Sequence, residues 1–354
     1  MTLVVNPLSH LKNAANWAAF FCLTLWLAGC SGELEMDRLS GQTMGTSWSV
    51  VIANPIAAHD RESLQAEIEA TLLTVNQQMS TYDPESEISR FNNGPVGEWF
   101  PVSELFALTT AKALGFSRIS DGAFDPTVGP VVNLWGFGPE AGAEALPTDA
   151  AVEAARQQIG YAAISVRAPE ASGGAALRKD APRRLDLSAI AKGLGVDQIY
   201  ALLDDRGYSN FLVEIGGEIR VKGNKDGLGW RIAVEKPVRG ERAVEETLAL
   251  SNIAVATSGD YRNYREIDGV AYSHTINPAT GRPVAHSLAS VTVADEDCAM
   301  ADGWATTLLV LGPEAGFALA IRQNLPAMFI ERTGDDFAVK YTPRFERLLA
   351  GITE

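Results

Sequence analysis

RRLDLSAIAKGLGVDQIYALLDDRGYSNFLVEIGGEIRVK, Arg183 to Lys222, decides the fold class. It reads as a strand at 183–187, a helix at 188–206 and further β-rich sequence at 211–222, with Ala191, Leu194, Gly195, Ile199 and Leu202 sharing one helical face. A helix after every strand would indicate a parallel α/β sheet. Short strands are expected instead at 230–235, 270–275 and 288–294, before helices at 298–310 and 313–323. The chain therefore reads as α+β, a single domain of mixed sheets and packed helices, with no repeat of 20–50 residues.

Outward from that stretch, Thr46 to Ala53 reads as a first strand. Leu64, Ile68, Leu72, Val75 and Met79 predict an amphipathic helix over 60–79. A loop follows at Ser80-Thr81-Tyr82-Asp83-Pro84, then a helix over 103–119. The glycines and prolines of GAFDPTVGPVVNLWGFG, Gly122 to Gly138, predict a shaped loop. Segments 139–147 and 169–182 read as surface connections, Thr148 as the N-cap of a helix ending near Gly160, and 164–167 as a strand. Strands near 327–331 and 337–341 and a short helix from Arg344 close the chain.

The 354 residues carry 29 Lys and Arg against 44 Asp and Glu, a net charge of −15. Such a chain repels polyanions, so nucleic acid is not an expected partner and any phosphate ligand must be held locally. Residues 1–29 contain one formally charged side chain, Lys12, then an apolar run from Ala14 to Leu27 that ends in Leu27-Ala28-Gly29-Cys30. That order suits a bacterial lipoprotein signal peptide, with Cys30 as the lipid acceptor. A cleaved signal with an incidental cysteine, or an uncleaved anchor, are the alternatives. The expected organisation is signal peptide 1–29, lipidated tether 30–42 and one catalytic domain 43–354. Three cysteines give no disulfide framework, and Cys298 would be the single thiol of the mature domain beyond the anchor.

Three segments can carry chemistry. In DLSAIAKGLGVDQ, Asp186 to Gln198, Asp186 and Ser188 suit a helix cap, or an anionic ligand at the helix N-terminus with Lys192 one turn on. Gly193 and Gly195 within the helix indicate close approach by another group. In CAMADGWATTL, Cys298 to Leu308, Asp302 and Thr306 lie four apart and share a face; carboxylate plus hydroxyl suits a hard cation such as Mg²⁺, or else a helix-terminal charge and a back-bonded threonine. In HTINPATG, His274 to Gly281, a strand stops in an Asn-Pro turn. His10 falls in the signal segment and His59 near a helix start, leaving His274 and His286 as candidate imidazole bases. Gly216-Gly217-Glu218 and Thr257-Ser258-Gly259-Asp260 read as small-residue turns that either admit a ligand or only reverse the chain.

Met44-Gly45-Thr46, Ser80-Thr81-Tyr82, GAFDPTVGPVVNLWGFG, DLSAIAKG, HTINPATG and ADGWATT, in this order, resemble the ApbE family of FAD:protein FMN transferases. The resemblance spans nearly the whole mature chain. It implies a single ApbE-like domain on the periplasmic side of the bacterial inner membrane. The implied activity is Mg²⁺-dependent: FAD is cleaved and its FMN half attached through a phosphoester to a Thr or Ser of an exported acceptor, such as a subunit of a membrane redox pump. It also implies that Met44 and Tyr82 lie near the flavin, that Ala123, Phe124 and Asp125 line the FAD site, and that Asp186, Lys192 and Ile276 contact FAD. The metal would be held by the Ala189 carbonyl with Asp302 and Thr306, and His274 would take the proton of the acceptor hydroxyl. Some relatives carry a further acidic residue near Asp302, where this chain has Cys298 one turn back. An FAD pyrophosphatase and a non-catalytic FAD-binding lipoprotein are the competing functions.

Overall fold

Met44 (φ 49°) and Gly45 (φ 71°) form the two-residue turn between strands β1 (Asp37–Thr43) and β2 (Thr46–Ile52). Two successive positive φ values give the turn whose twist matches a right-handed hairpin. A computed structural model describes residues 36–54, 56–140, 145–170, 173–225, 227–238, 240 and 243–351. The expected signal peptide, Cys30 and residues 31–35 of the expected tether lie outside that set. Asp37–Gln42, also expected in the tether, belong to β1, which pairs with β2 along its whole length; polar residues alternate with inward-facing Leu39 on a sheet edge, a pattern that mimics a linker.

The chain then forms α1 (Arg61–Met79), α2 (Glu87–Asn93), β3 (Phe100–Pro101), α3 (Glu104–Ile119), α4 (Gly129–Leu134), α5 (Asp149–Arg156), β4 (Ile164–Arg167), β5 (Ala176–Lys179) and α6 (Ser188–Asp205). The segment expected as a shaped loop contains α4, started by Pro130 in the first helical turn, where a missing N–H costs nothing. The strand expected at 183–187 is not formed. Leu185 is bonded through both backbone groups to the Asn92 side chain, at 2.6 and 2.8 Å, and Asp186 N–H donates to the Pro126 carbonyl at 2.7 Å. The strand is β5, inside the expected surface connection, where its buried Ala176 and Leu177 pair with β3 and β4.

Next come β6 (Phe211–Ile215), β7 (Glu218–Lys222), β8 (Trp230–Lys236), β9 (Ala243–Leu250), β10 (Ile253–Gly259), β11 (Tyr264–Ile267), β12 (Val270–Ser273), β13 (Ile276–Asn277), β14 (Arg282–Pro283), β15 (Leu288–Asp295), α7 (Cys298–Arg322), β16 (Ala327–Thr333), β17 (Asp336–Tyr341) and α8 (Pro343–Leu349). The β-rich sequence at 211–222 forms two strands, β6 and β7, folded at Gly216 (φ 60°) and Gly217 (φ 106°), where the small-residue turn was expected. Thr257, Ser258 and Gly259 lie in β10 rather than in a turn.

Eight strands form one antiparallel sheet in the order β1-β2-β6-β7-β10-β15-β16-β17. On one face α1 and α6 bury Leu64, Ile68, Leu72, Val196 and Ile199 against Trp48, Val50 and Val213. On the other, Trp230, Ile232, Leu248 and Phe345 of the β8–β9 hairpin and α8 cover Val221, Val255, Met328 and Ile330. Covered on both sides, β15 is buried from Leu288 to Ala294. The apolar length of α7 would suffice for a membrane span, and its place in the core with Phe116, Val291, Val293 and Phe329 accounts for that composition.

The two helices expected at 298–310 and 313–323 are both formed, and α7 breaks between them at Gly312 (φ 82°), before Pro313. Proline has no N–H to return to the Leu309 carbonyl four residues back. His286 Nε2 lies 2.8 Å from that carbonyl, which can only accept, so the imidazole donates there and repairs the broken ladder. His286 is thus a structural residue. Replacing it with Ala is expected to cost about 1–3 kcal/mol, the range for a buried acceptor left without a donor. Denaturant unfolding checks this, and an unchanged midpoint would remove His286 from the break.

Candidate active site

Helices α6 and α7 cross at Gly193. A Cβ there would stand 2.4 Å from the Cys298 carbonyl oxygen and 2.8 Å from Ala299 Cα, so only glycine permits the crossing. The close approach expected from this glycine is therefore met by α7. Gly195 likewise admits Met44 Cε and Ile215 Cδ1, 3.1 and 3.0 Å from an ideal Cβ. Asp197 of α6 accepts the Cys298 and Ala299 N–H groups at 2.9 Å each, capping α7 from the neighbouring helix, while Arg220 holds the same carboxylate at 2.6 Å.

This crossing delivers Asp302 to α6. Its side chain is 3% exposed, and Oδ2 accepts the Gly193 N–H at 3.1 Å. Helical geometry directs that same N–H toward the Ala189 carbonyl four residues back. Burial raises the Asp302 carboxyl above the usual range, against the opposing pull of Lys192 and the Gly193 N–H. Thr306, one turn on, is half-buried with Oγ1 3.1 Å from Ser258 Oγ of β10. No cluster of three His, Cys, Asp or Glu side chains occurs among the described residues. A hard cation here would rest on carboxylate, hydroxyl and carbonyl oxygens, and the set fits one: Asp302 Oδ1 takes no hydrogen bond from the described residues. Cys298 is fully buried, its thiol 3.7 Å from the Ile219 carbonyl and pushed well up by burial, so it supplies no thiolate ligand.

Lys192 Nζ lies 2.6 Å from Glu218 Oε1. Burial opposes the ammonium charge, yet Asp302 and Glu218 outweigh it and hold the lysine above its ordinary value. Burial pushes Glu218 up to about 7 despite Lys192. The lysine therefore keeps its proton at neutral pH. Glu218 is the site residue for which its motif alone assigned no role. The signal was available in the Gly-Gly pair before it, which permits the tightest hairpin and so fixes where the next side chain points.

Around this centre, Asp186 Oδ1 accepts the Ser188 N–H and Oγ–H at 2.9 and 2.6 Å, meeting the first N–H of α6 from the residue before its Leu187 N-cap, and the carboxylate also stands against Gly129 at the start of α4. Partial burial and the Asp186 charge raise the Tyr82 phenol, which donates to the Phe137 carbonyl at 3.3 Å with the ring 67% exposed. Phe137 meets the His274 ring edge-on at 6.4 Å. His274 Nδ1 lies 2.9 Å from the Asn263 carbonyl and must donate to it, leaving Nε2 with a free lone pair in the neutral ring; burial lowers the imidazole below its usual value. Lys192 contributes to that lowering.

Three of the residues expected at the FAD site, Phe124, Asp125 and Ile276, have buried side chains. Phe124 is 4% exposed and packs on Phe116 at 5.3 Å. Asp125 is occupied by the Thr127 N–H and hydroxyl (2.8 and 2.6 Å) and the Tyr161 N–H (3.1 Å). Ile276 joins a buried cluster with Val131, Trp135 and Val152. Their side chains shape the segments around the site, and half-buried Ala123 is the small residue beside them.

An α+β scaffold that gathers a half-buried lysine, a hard-oxygen set and an oriented imidazole defines a protein suited to a phosphate-bearing ligand. The chain belongs to the ApbE family, whose model matches residues 44–329. It is 45% identical over 337 residues to the FAD:protein FMN transferase of Vibrio cholerae, covering 95% of this chain and 99% of that one. With the FAD:protein FMN transferase of Haemophilus influenzae it shares 43% over 331 residues, 92% and 95% of the two chains. The structure of the flavin transferase ApbE from Vibrio cholerae superposes with a TM-score of 0.81 at 44% identity, covering 88% of this chain and 98% of that one. The ApbE protein of Thermotoga maritima gives 0.78 at 28% identity, covering 89% and 99%.

Proposed function

We propose that this protein transfers the FMN half of FAD to a Thr or Ser hydroxyl of an acceptor protein, forming a phosphoester and releasing AMP. Flavin transfer from FAD to a protein is the activity its relatives are named for, at 45% and 43% identity over nearly the whole chain. The observation that carries the finer reading is the α6–α7 crossing, where buried Asp302 meets the Gly193 N–H close to Lys192.

FAD brings two phosphate charges to a chain of net charge −15, so binding needs local positive charge. Lys192 supplies one, and Asp302, Thr306 and the Ala189 carbonyl would hold Mg²⁺. Bound there, Mg²⁺ would neutralise the pyrophosphate and the charge developing on the departing AMP. Tyr82 would offer a flat surface with a polar tip to the isoalloxazine, and Met44 a second apolar group. His274, its tautomer fixed by Asn263, takes the acceptor hydroxyl proton at Nε2. The new O–P bond forms as the pyrophosphate P–O bond breaks, and AMP leaves with the bridging oxygen.

Incubation with FAD, Mg²⁺ and a threonine-bearing acceptor peptide tests the reading. Flavin fluorescence that stays with the peptide after denaturation supports transfer. Free FMN and AMP would instead make the protein a pyrophosphatase, and intact bound FAD a carrier. Tyr82→Ala is expected to weaken FAD binding by about tenfold, the scale of a lost aromatic contact; fluorescence titration giving wild-type affinity would remove Tyr82 from the site.

The apolar run ending at Cys30 supports a lipid anchor and a periplasmic site of action at the inner membrane, among exported acceptors such as subunits of membrane redox pumps. Cys30→Ser is expected to move the protein from the membrane to the soluble fraction with its activity intact. Unchanged membrane association would count against the anchor.

A further inference from the structure

We propose that Glu218 is a positioning residue for FAD: its carboxylate fixes the Lys192 ammonium so that the lysine's remaining N–H groups meet the pyrophosphate. The inference rests on the function proposed above and deepens it.

Glu218 opens β7 immediately after the two-residue turn, paired in register with Ile215. The turn is built around Lys192. A Cβ at Gly216 would stand 2.9 Å from Thr46 Cγ2 and 3.4 Å from Lys192 Cδ, so the glycine leaves room for the lysine stem. The carboxylate is 2% exposed, with Oε1 on Lys192 Nζ at 2.6 Å and Oε2 buried without a partner among the described residues.

An ion pair that buries its carboxylate adds little stability over an apolar pair of similar size, and a carboxylate oxygen left unsatisfied makes the balance worse. Such a pair is better explained by what it does to the lysine. An ammonium has three donors on a flexible four-carbon stem. Glu218 takes one, and Lys192 has no other partner among the described residues, so two donors remain at a fixed place. Phosphate oxygens accept such charged hydrogen bonds strongly. Without Glu218 the ammonium would be drawn to Asp302, the other buried carboxylate near it.

The test is a double-mutant cycle read by FAD affinity, measured by flavin fluorescence with Mg²⁺ and without acceptor. Glu218→Gln keeps shape and removes charge; it is expected to weaken FAD binding about tenfold in the wild-type background, the effect of losing one charged hydrogen bond. In a Lys192→Met background the same change should cost less than about twofold, because the residue it acts through is gone. Equal losses in both backgrounds, or no loss in either, would overturn the positioning role while leaving FMN transfer standing. A wild-type protein that binds no FAD would overturn both. If Lys192→Met fails to fold, Glu218→Asp takes its place. Retained charge should then recover FAD affinity to within about threefold of wild type, and an Asp variant as weak as the Gln variant would sink the proposal.

Discussion

Asp302→Ala is expected to lower FMN transfer by on the order of 10³-fold, since a cation that stabilises the leaving phosphate is worth several kcal/mol and each 1.4 kcal/mol is about a factor of ten. The side chain is almost wholly buried beside Gly193 and is the only one of the three groups proposed to hold Mg²⁺ that brings a formal charge. The fold should survive, because removing a buried carboxylate also removes its desolvation cost. Thr306→Ala should be milder, about tenfold, because water can replace a neutral hydroxyl. Transfer rates across a Mg²⁺ titration decide between the roles. A normal rate and midpoint in Asp302→Ala would return Asp302 to the reading of a charge that only ties α7 to α6.

The second large effect is expected at His274. Removing a general base costs about 10²–10⁴ in rate, so His274→Ala should lose that much transfer while FAD affinity changes by less than about threefold. Burial lowers this imidazole, so it stays neutral below the pH at which a free histidine protonates. The wild-type rate should therefore hold as pH falls through the ordinary histidine range and drop only further into acid, and that acid limb should vanish in the variant. The sign for stability agrees: a lowered histidine pKa costs folding free energy only as pH falls below the unfolded-state value near 6.5. A variant that transfers at the wild-type rate would leave His274 as a turn residue held by Asn263.

Periodic elements were legible in the sequence because periodicity reports burial directly. The helix that buries Leu64, Ile68, Leu72, Val75 and Met79 is an example. Elements fixed by distant partners were not. The β5 strand hides in an Ala- and Gly-rich segment, and the 183–187 stretch is held out of a sheet by one Asn92 side chain, facts that no local pattern encodes. The same division holds at the site. The four-residue spacing of Asp302 and Thr306 and the helix-interior Gly193 pointed to a shared face and a close crossing, and the structure has both. Asp197 as the cap of α7, Ser258 as the neighbour of Thr306 and Glu218 as the partner of Lys192 each join segments at least 20 residues apart. His286 was separable from His274 only once its bond to the Leu309 carbonyl tied it to the break at Pro313.

The most direct measurement is a transfer reaction run in ¹⁸O-labelled water with FAD, Mg²⁺ and a threonine-bearing acceptor peptide, followed by mass spectrometry of peptide, FMN and AMP. Attack by the acceptor hydroxyl takes no oxygen from water, so the expected result is a peptide heavier by one FMN less water, free of ¹⁸O, with an equal amount of unlabelled AMP. An unmodified peptide, with ¹⁸O in the phosphate of free FMN or of AMP, would contradict it and make water the nucleophile at this site.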